Sequence, residues 1–278
     1  MKTISTAKSH GGIQGVYSHA STACNCDMTF AVFVPPQAAE RPCPVLWYMS
    51  GLTCSHANVM DKGEYRAAAA EHGIIIVCPD TSPRGDDVPD ETDNWQFGQG
   101  AGFYLDATQE PFNKHYNMYS YITSELTVII ASKFNVNMSK QGIFGHSMGG
   151  HGALTIALKD PQRFASVSAF APIAEPSKAD WSVGALEKYL GADQSKWRDY
   201  DICMLLEDGH KLSEILVDQG ANDDHLERLG PDALITACKK AGVKLTHNMR
   251  EGYDHSYFFV SSFLASQIAW HAERLNKA

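Results

Sequence analysis

The stretch Gln141 to Gly152, reading Gln-Gly-Ile-Phe-Gly-His-Ser-Met-Gly-Gly-His-Gly, constrains this chain more than any other. A short apolar run ends in the pattern Gly-x-Ser-x-Gly, and a small-residue stretch of helical character, Gly152 to Leu158, follows at once. The spacing predicts a strand, a sharp turn and a helix, with Ser147 on the turn. A serine hydroxyl is a weak nucleophile and becomes useful only when it stands clear of the sheet edge, within reach of a base and beside backbone N–H groups. Glycines two before and two after it keep side chains from colliding across so tight a turn. Met148 opens the helix, which turns its N–H and the positive end of the helix dipole toward the same place. A glycine-rich turn that binds nothing can share this pattern; the strand before and the helix after favour the nucleophile.

Around this stretch the chain alternates between strand and helix. Gln14–His19 and Met28–Val34 read as an opening hairpin, and Pro44–Ser50 and Ile74–Cys78 as compact apolar runs suited to strands buried on both faces. Glu64–His72 between them has helical spacing and is stopped by Gly73. Met118–Phe134 reads as an amphipathic helix leading into the Ser147 strand. Strands at Phe164–Phe170, Glu214–Asp218 and Val243–Met249 follow, with helices at Gly184–Leu190, Pro231–Lys240 and Phe258–Leu275. The expectation is an eight-stranded, mostly parallel α/β sheet covered by helices on both faces, in one domain spanning 1–278. Residues 172 to 212 are otherwise expected to be irregular. So are residues 80 to 115, and loops that long are usually functional. The acidic group Asp86, Asp87, Asp90, Glu91 and Asp93 in that segment lacks the spacing of a calcium loop and reads as a solvated face.

Composition excludes some partners. With 23 basic against 32 acidic residues and a net charge of −9, nothing favours nucleic acid or an anionic membrane. The first residues lack the apolar core of a signal peptide, and no run reaches the roughly 18 apolar residues of a membrane span. A cytoplasmic protein is therefore expected. Its seven cysteines, Cys24, Cys26, Cys43, Cys54, Cys78, Cys203 and Cys238, are odd in number and scattered, unlike a disulfide framework.

In a parallel sheet, ligands bind beyond the carboxyl ends of the strands. Two later strands end in polar loops there, Asp218-Gln219-Gly220-Ala221-Asn222-Asp223-Asp224 and Glu251-Gly252-Tyr253-Asp254-His255-Ser256. The order serine, acid, histidine along the chain is that of a hydrolytic triad on such a sheet. Among twelve histidines, His255 is the best base. His146 is expected to point away from Ser147 across the strand, and His151 to pack within the helix. Asp254 is too close to His255 in sequence to face its ring, and Asp218 belongs to the strand end. Asp223 and Asp224 are not separated by this reasoning. For the second oxyanion donor, the loop after the third strand offers Ser50-Gly51-Leu52, and Leu52 is the choice.

Several blocks together carry a resemblance. They are Ser-Gly-Leu-Thr-Cys at 50–54, Pro-Asp-Thr-Ser-Pro-Arg-Gly at 79–85, Gly-Ala-Gly-Phe-Tyr at 100–104, Gly-His-Ser-Met-Gly-Gly-His-Gly at 145–152, Ser-Ala-Phe-Ala-Pro at 168–172, Asp-Gln-Gly-x-x-Asp at 218–223 and Glu-Gly-Tyr-Asp-His-Ser-Tyr at 251–257. Nearly end to end, the chain resembles the S-formylglutathione hydrolase, or esterase D, family of α/β-hydrolases. The resemblance implies the α/β-hydrolase fold and a triad of Ser147, Asp223 and His255, the acid being the last residue of Asp-Gln-Gly-x-x-Asp. It implies backbone oxyanion donors at Leu52 and Met148, hydrolysis of S-formylglutathione to glutathione and formate, cleavage of small activated esters, no metal or organic cofactor, and homodimers in many members. Cys54, Trp181 and Phe103 are expected to line the substrate pocket. Cys54 is further expected to inhibit by crowding when alkylated, with no catalytic role for its sulfur. The alternatives are a general carboxylesterase of short acyl esters, a feruloyl or mycolyl-type relative, and a catalytically silent binding module on the same fold.

Overall fold

A computed structural model describes residues 1–277. Nine strands form one sheet: β1 (Lys2–Ser9), β2 (Gly12–Ser21), β3 (Cys26–Val34), β4 (Cys43–Met49), β5 (Ile75–Pro79), β6 (Val136–His146), β7 (Ser166–Phe170), β8 (Glu214–Gly220) and β9 (Lys244–Arg250). Their spatial order is β1-β2-β3-β5-β4-β6-β7-β8-β9. The first three pair antiparallel, β3 joins β5 antiparallel, and every pairing from β5 to β9 is parallel.

The sheet has one strand more than expected. β1, Lys-Thr-Ile-Ser-Thr-Ala-Lys-Ser, is exposed over almost its whole length and is held by its ladder to β2. Buried side chains give a strand its sequence alternation, and β1 has too few to show one.

Among the described residues ten α-helices accompany the sheet: α1 (His56–Lys62), α2 (Arg66–His72), α3 (Met118–Ser120), α4 (Thr127–Lys133), α5 (Met148–Lys159), α6 (Asp180–Leu190), α7 (Ile202–Glu207), α8 (Leu226–Leu229), α9 (Pro231–Ala241) and α10 (Tyr257–Lys277). A π-helical turn, Tyr121–Leu126, fuses α3 to α4. Within it Glu125 accepts bonds from Ser21 Oγ and the N–H groups of Thr22 and Ala23, tying the helix to the β2–β3 turn.

The expectation of an irregular 172–212 is corrected. α6 begins four residues before Gly184, a 3₁₀ turn covers Gln194–Tyr200, and Asp201 caps α7 by accepting from Met204 N–H. Residues 80–115 are largely irregular, as expected, but they are packed. Phe97 lies 4.8 Å from Phe112 and 4.6 Å from Tyr189, and Tyr116 lies 5.0 Å from Tyr189, ring centre to ring centre. Aromatic burial of this kind orders a loop that has no ladder of its own.

The core sits on both sides of β4 to β7. In β5 every residue is buried, and in α5 all but the last. A polar chain then fixes the strand ends that carry the site. His271 of α10 lies 2.7 Å from both Ser166 Oγ and Ser168 Oγ; Ser168 also bonds Gln267, whose Nε2 donates to Asp218 Oδ2 at 2.7 Å. Asp218 also accepts from Arg250 Nε and Asn248 Nδ2, joining β8 to β9.

Candidate active site

β6 runs into α5 through Ser147, whose backbone is at φ 57°, ψ −121°, a left-handed conformation that costs a non-glycine residue energy. The turn is tight enough to exclude side chains around it. A Cβ on Gly145 would come within 2.3 Å of Gly149 O, and one on Gly149 within 2.0 Å of Met49 O. Ser147 N–H donates to Phe170 O at 2.9 Å, so the elbow is anchored on the end of β7. The loop after β4 crosses beside it: a Cβ on Gly51 would lie 3.3 Å from that of Ser147.

The loops after β8 and β9 meet at the same end of the sheet. Asn222 N–H donates to Tyr253 O at 2.9 Å and Gly252 N–H to Asn222 Oδ1 at 3.0 Å. This junction puts Asp223 Oδ2 2.6 Å from His255 Nδ1. Asp223 also accepts from Gln219 Nε2 at 3.0 Å and from His225 N–H at 2.8 Å. Burial works against its charge, but the bonds from His255, His225 and Gln219 outweigh burial and hold the carboxyl below its ordinary value. An ionised carboxylate only accepts, so the proton of a neutral His255 sits on Nδ1 and leaves the Nε2 lone pair free.

The remaining aspartates separate. Asp224 is exposed. Asp218 in β8 is committed to Arg250 at the end of β9. Asp254 accepts from Ser256 N–H and Oγ, capping the turn that follows it.

Ser147 and His255 share the wall of one cavity of about 200 Å³ with Gly51, Leu52, Thr53, Cys54, Trp95, His146, Trp181 and His225. Of the three expected pocket residues, Cys54 and Trp181 line this cavity. Phe103 does not: it is fully buried, with its ring 6.5 Å from that of His151. Its aromatic bulk fills the layer behind α5. His151 packs there too, kept neutral by burial, which pushes its pKa down to about 4. Burial also raises the Cys54 thiol, so its sulfur stays protonated.

Two lining residues, Trp95 and His225, escaped the sequence reading, and a third corrects it: His146, expected to point away from Ser147 across the strand, lines the same cavity. His146, one before the nucleophile, has its ring centre 4.5 Å from that of His255, and burial, then the neighbouring His255, keeps it neutral. The His225 ring stands edge-on to that of His255, their centres 5.2 Å apart, and is tilted against Trp181 with ring centres 5.1 Å apart. Trp95 is half exposed at the mouth. Strand alternation predicts opposite faces for His146 and Ser147, but β6 ends at His146 and the elbow turns the chain at Ser147, so both reach one cavity; Trp95 and His225 meet the site only through packing. The N–H groups of Leu52 and Met148 have no acceptor among the described residues. Among those residues no cluster of His, Cys, Asp and Glu is disposed to hold a metal ion. A larger groove of about 640 Å³ between α7 and α9 contains none of these residues.

A mostly parallel sheet with a serine elbow after β6 and a histidine loop after β9 defines an α/β-hydrolase. The model of the putative esterase family matches residues 21–273. An S-formylglutathione hydrolase of Paracoccus denitrificans (strain Pd 1222) is 50% identical over 99% of this chain and 98% of that protein. One of Mus musculus is 47% identical over 99% of each. The solved structure of an S-formylglutathione hydrolase from Agrobacterium tumefaciens is 60% identical, with a TM-score of 0.98 over 99% of this chain and 100% of that one. The chain belongs to the putative esterase family and, within it, to the S-formylglutathione hydrolases.

Proposed function

We propose that this chain hydrolyses S-formylglutathione to glutathione and formate, with side activity on small acyl esters. Ser147 Oγ attacks the formyl carbonyl as His255 Nε2 takes its proton, and Asp223 stabilises the resulting imidazolium. The N–H groups of Leu52 and Met148 bind the oxyanion of the tetrahedral intermediate. Its collapse breaks the C–S bond, and His255 returns the proton to the leaving glutathione sulfur. Water, deprotonated by the same histidine, then attacks the formyl-serine ester; formate leaves and Ser147 regains its proton.

The observation that carries this reading is the 2.6 Å Asp223–His255 bond on the wall of the cavity that also holds Ser147. The identity with S-formylglutathione hydrolases supports the choice of substrate. A cavity of about 200 Å³ suits a small acyl group. A single extra methylene changes pocket binding by only about 1–3 kcal/mol, so acetyl thioesters and esters should be cleaved more slowly, not refused. Glutathione is kept reduced in the cytoplasm, and the reading therefore places the enzyme there. No described helix is long and apolar enough to cross a membrane.

The test is kcat/KM for S-formylglutathione, S-acetylglutathione and p-nitrophenyl acetate. The formyl thioester should lead the acetyl thioester by about 10- to 200-fold. Cleavage of p-nitrophenyl acetate without cleavage of the formyl thioester would replace this reading with a general carboxylesterase of short acyl esters.

A further inference from the structure

The segment Asp80-Thr81-Ser82-Pro83-Arg84 takes no part in the reaction as described, yet it grips the loop that carries one of the proposed oxyanion donors. Cys54 N–H donates to Gly51 O at 3.2 Å, closing a turn with Leu52 and Thr53 at its centre. Thr53 sits there at φ 65°, a left-handed conformation that a β-branched residue adopts only when its surroundings impose it. Left alone the turn would relax and the direction of the Leu52 N–H would change with it.

Three contacts oppose that relaxation. The carbonyl of Cys54 accepts two bonds, from Thr81 Oγ1 at 2.5 Å and from Arg84 Nη2 at 2.9 Å. Thr53 N–H donates to Gly100 O at 2.9 Å, and Gly100 N–H in turn donates to Ser82 Oγ at 2.7 Å. Arg84 is itself fixed. Its Nε lies 3.0 Å from Asp80 Oδ2 and its Nη2 3.1 Å from Asp80 Oδ1, while the buried Asp80 also accepts Thr81 N–H at 2.7 Å. A guanidinium can fork onto a carboxylate and still offer an N–H to a carbonyl; an ammonium has no such fixed geometry.

We propose that Arg84, oriented by Asp80 and joined by Thr81, is a positioning residue for catalysis: it clamps the Cys54 carbonyl and so holds the Leu52 N–H on the developing oxyanion. The inference rests on the reading of Leu52 as an oxyanion donor. It predicts a loss felt in the transition state and not in substrate binding. Removing one oxyanion donor outright costs about 10²–10³ in kcat. Loosening its support costs part of that, so Arg84→Gln lowers kcat by about 10- to 100-fold on both the formyl thioester and p-nitrophenyl acetate, with KM changed less than about threefold.

The experiment measures kcat, KM and Tm for wild type, Arg84→Gln, Arg84→Lys and Thr81→Val, together with the Ki of a thioether trifluoromethyl ketone and of the matching methyl ketone. The trifluoromethyl ketone adds to a serine as a hemiketal whose oxygen occupies the oxyanion position. The clamp predicts that its Ki rises by the same factor as kcat falls, that the methyl ketone Ki stays put, and that Arg84→Lys and Thr81→Val fall between wild type and Arg84→Gln. A folded Arg84→Gln with kcat and trifluoromethyl ketone Ki within twofold of wild type overturns it, as does a lowered Tm with unchanged kcat. If Arg84→Gln does not fold, Arg84→Lys and Thr81→Val decide by the same twofold criterion. A wild-type enzyme that binds the trifluoromethyl ketone no more tightly than the methyl ketone would instead refute the oxyanion reading beneath the proposal.

Discussion

Replacing Asp223 by asparagine keeps the shape of the side chain and removes its charge. In the native site Oδ2 accepts from His255 Nδ1 at 2.6 Å and from Gln219 Nε2 at 3.0 Å, while Oδ1 accepts from His225 N–H at 2.8 Å. All of these contacts need an acceptor, and an amide has one oxygen. With that oxygen toward His255, the NH₂ group meets the His225 N–H, donor against donor. The mismatch costs about 1–3 kcal/mol of stability, and the imidazolium loses its counter-charge. With the NH₂ group toward His255, it also faces the Gln219 amide, and Nδ1 must become the acceptor. The proton then moves to Nε2, and the base is lost. A wrong tautomer of this kind costs about 10⁴-fold in rate, or about 5.4 kcal/mol at 1.36 kcal/mol per tenfold. The expected fall in kcat lies between about 10² and 10⁴. Steady-state hydrolysis of p-nitrophenyl acetate by Asp223→Asn measures it, with circular dichroism to verify folding. A folded variant within about tenfold of wild type would refute the role given to Asp223.

Three further predictions follow from the geometry. Gly149→Ala would place a Cβ 2.0 Å from the main-chain oxygen of Met49, which cannot yield as a side chain would, so the elbow must shift. Misplacement of about 1 Å costs about 10² in rate, and a kcat within threefold of wild type would count against the packing argument. His151 and His271 are held neutral by burial, with pKa values lowered from 6.5 to about 4 and about 3. The unfolded chain therefore takes up protons first as pH falls. Their contribution to stability is whole above about pH 6.5 and is lost progressively below it, by about 2 kcal/mol each at pH 5. Urea melts at pH 7.5 and 5 should differ in this sense, and equal midpoints would contradict it. Cys54 lines the cavity but stays a thiol, so Cys54→Ser should keep activity within a few-fold and remove inhibition by a bulky maleimide. Loss of most activity, or persistent inhibition, would show that the sulfur does more than occupy space.

The buried parallel strands were legible in the sequence because strands covered on both faces are continuous apolar runs, as in Val45–Met49 and Ile75–Cys78. The elbow was legible because its glycines answer a local steric demand. Asp223 and Asp224 could not be told apart by local chemistry; the resemblance chose Asp223, and in the fold that carboxylate is the buried one that meets His255. β1 could not be seen because backbone pairing, not side-chain burial, holds it. α7 depends on one capping aspartate, Asp201, and α1 on the reciprocal cap of Ser55 and Asn58, signals too brief to stand out in an irregular stretch. The cavity wall was the least legible part. Trp181 was named, but Trp95 and His225 come from other distant segments without a signal, and an aromatic residue such as Phe103 looks the same in sequence whether it faces a substrate or a helix.

The most direct test of the account is release of formate and free thiol from S-formylglutathione by purified wild-type protein and by Ser147→Ala. The account predicts equal amounts of both products from the wild type and a loss of at least about 10³-fold in the variant, whose remaining groups still bind and polarise the thioester but cannot attack it. A Ser147→Ala protein that still hydrolyses the thioester at a comparable rate, or a wild-type protein inert toward it, would contradict the account.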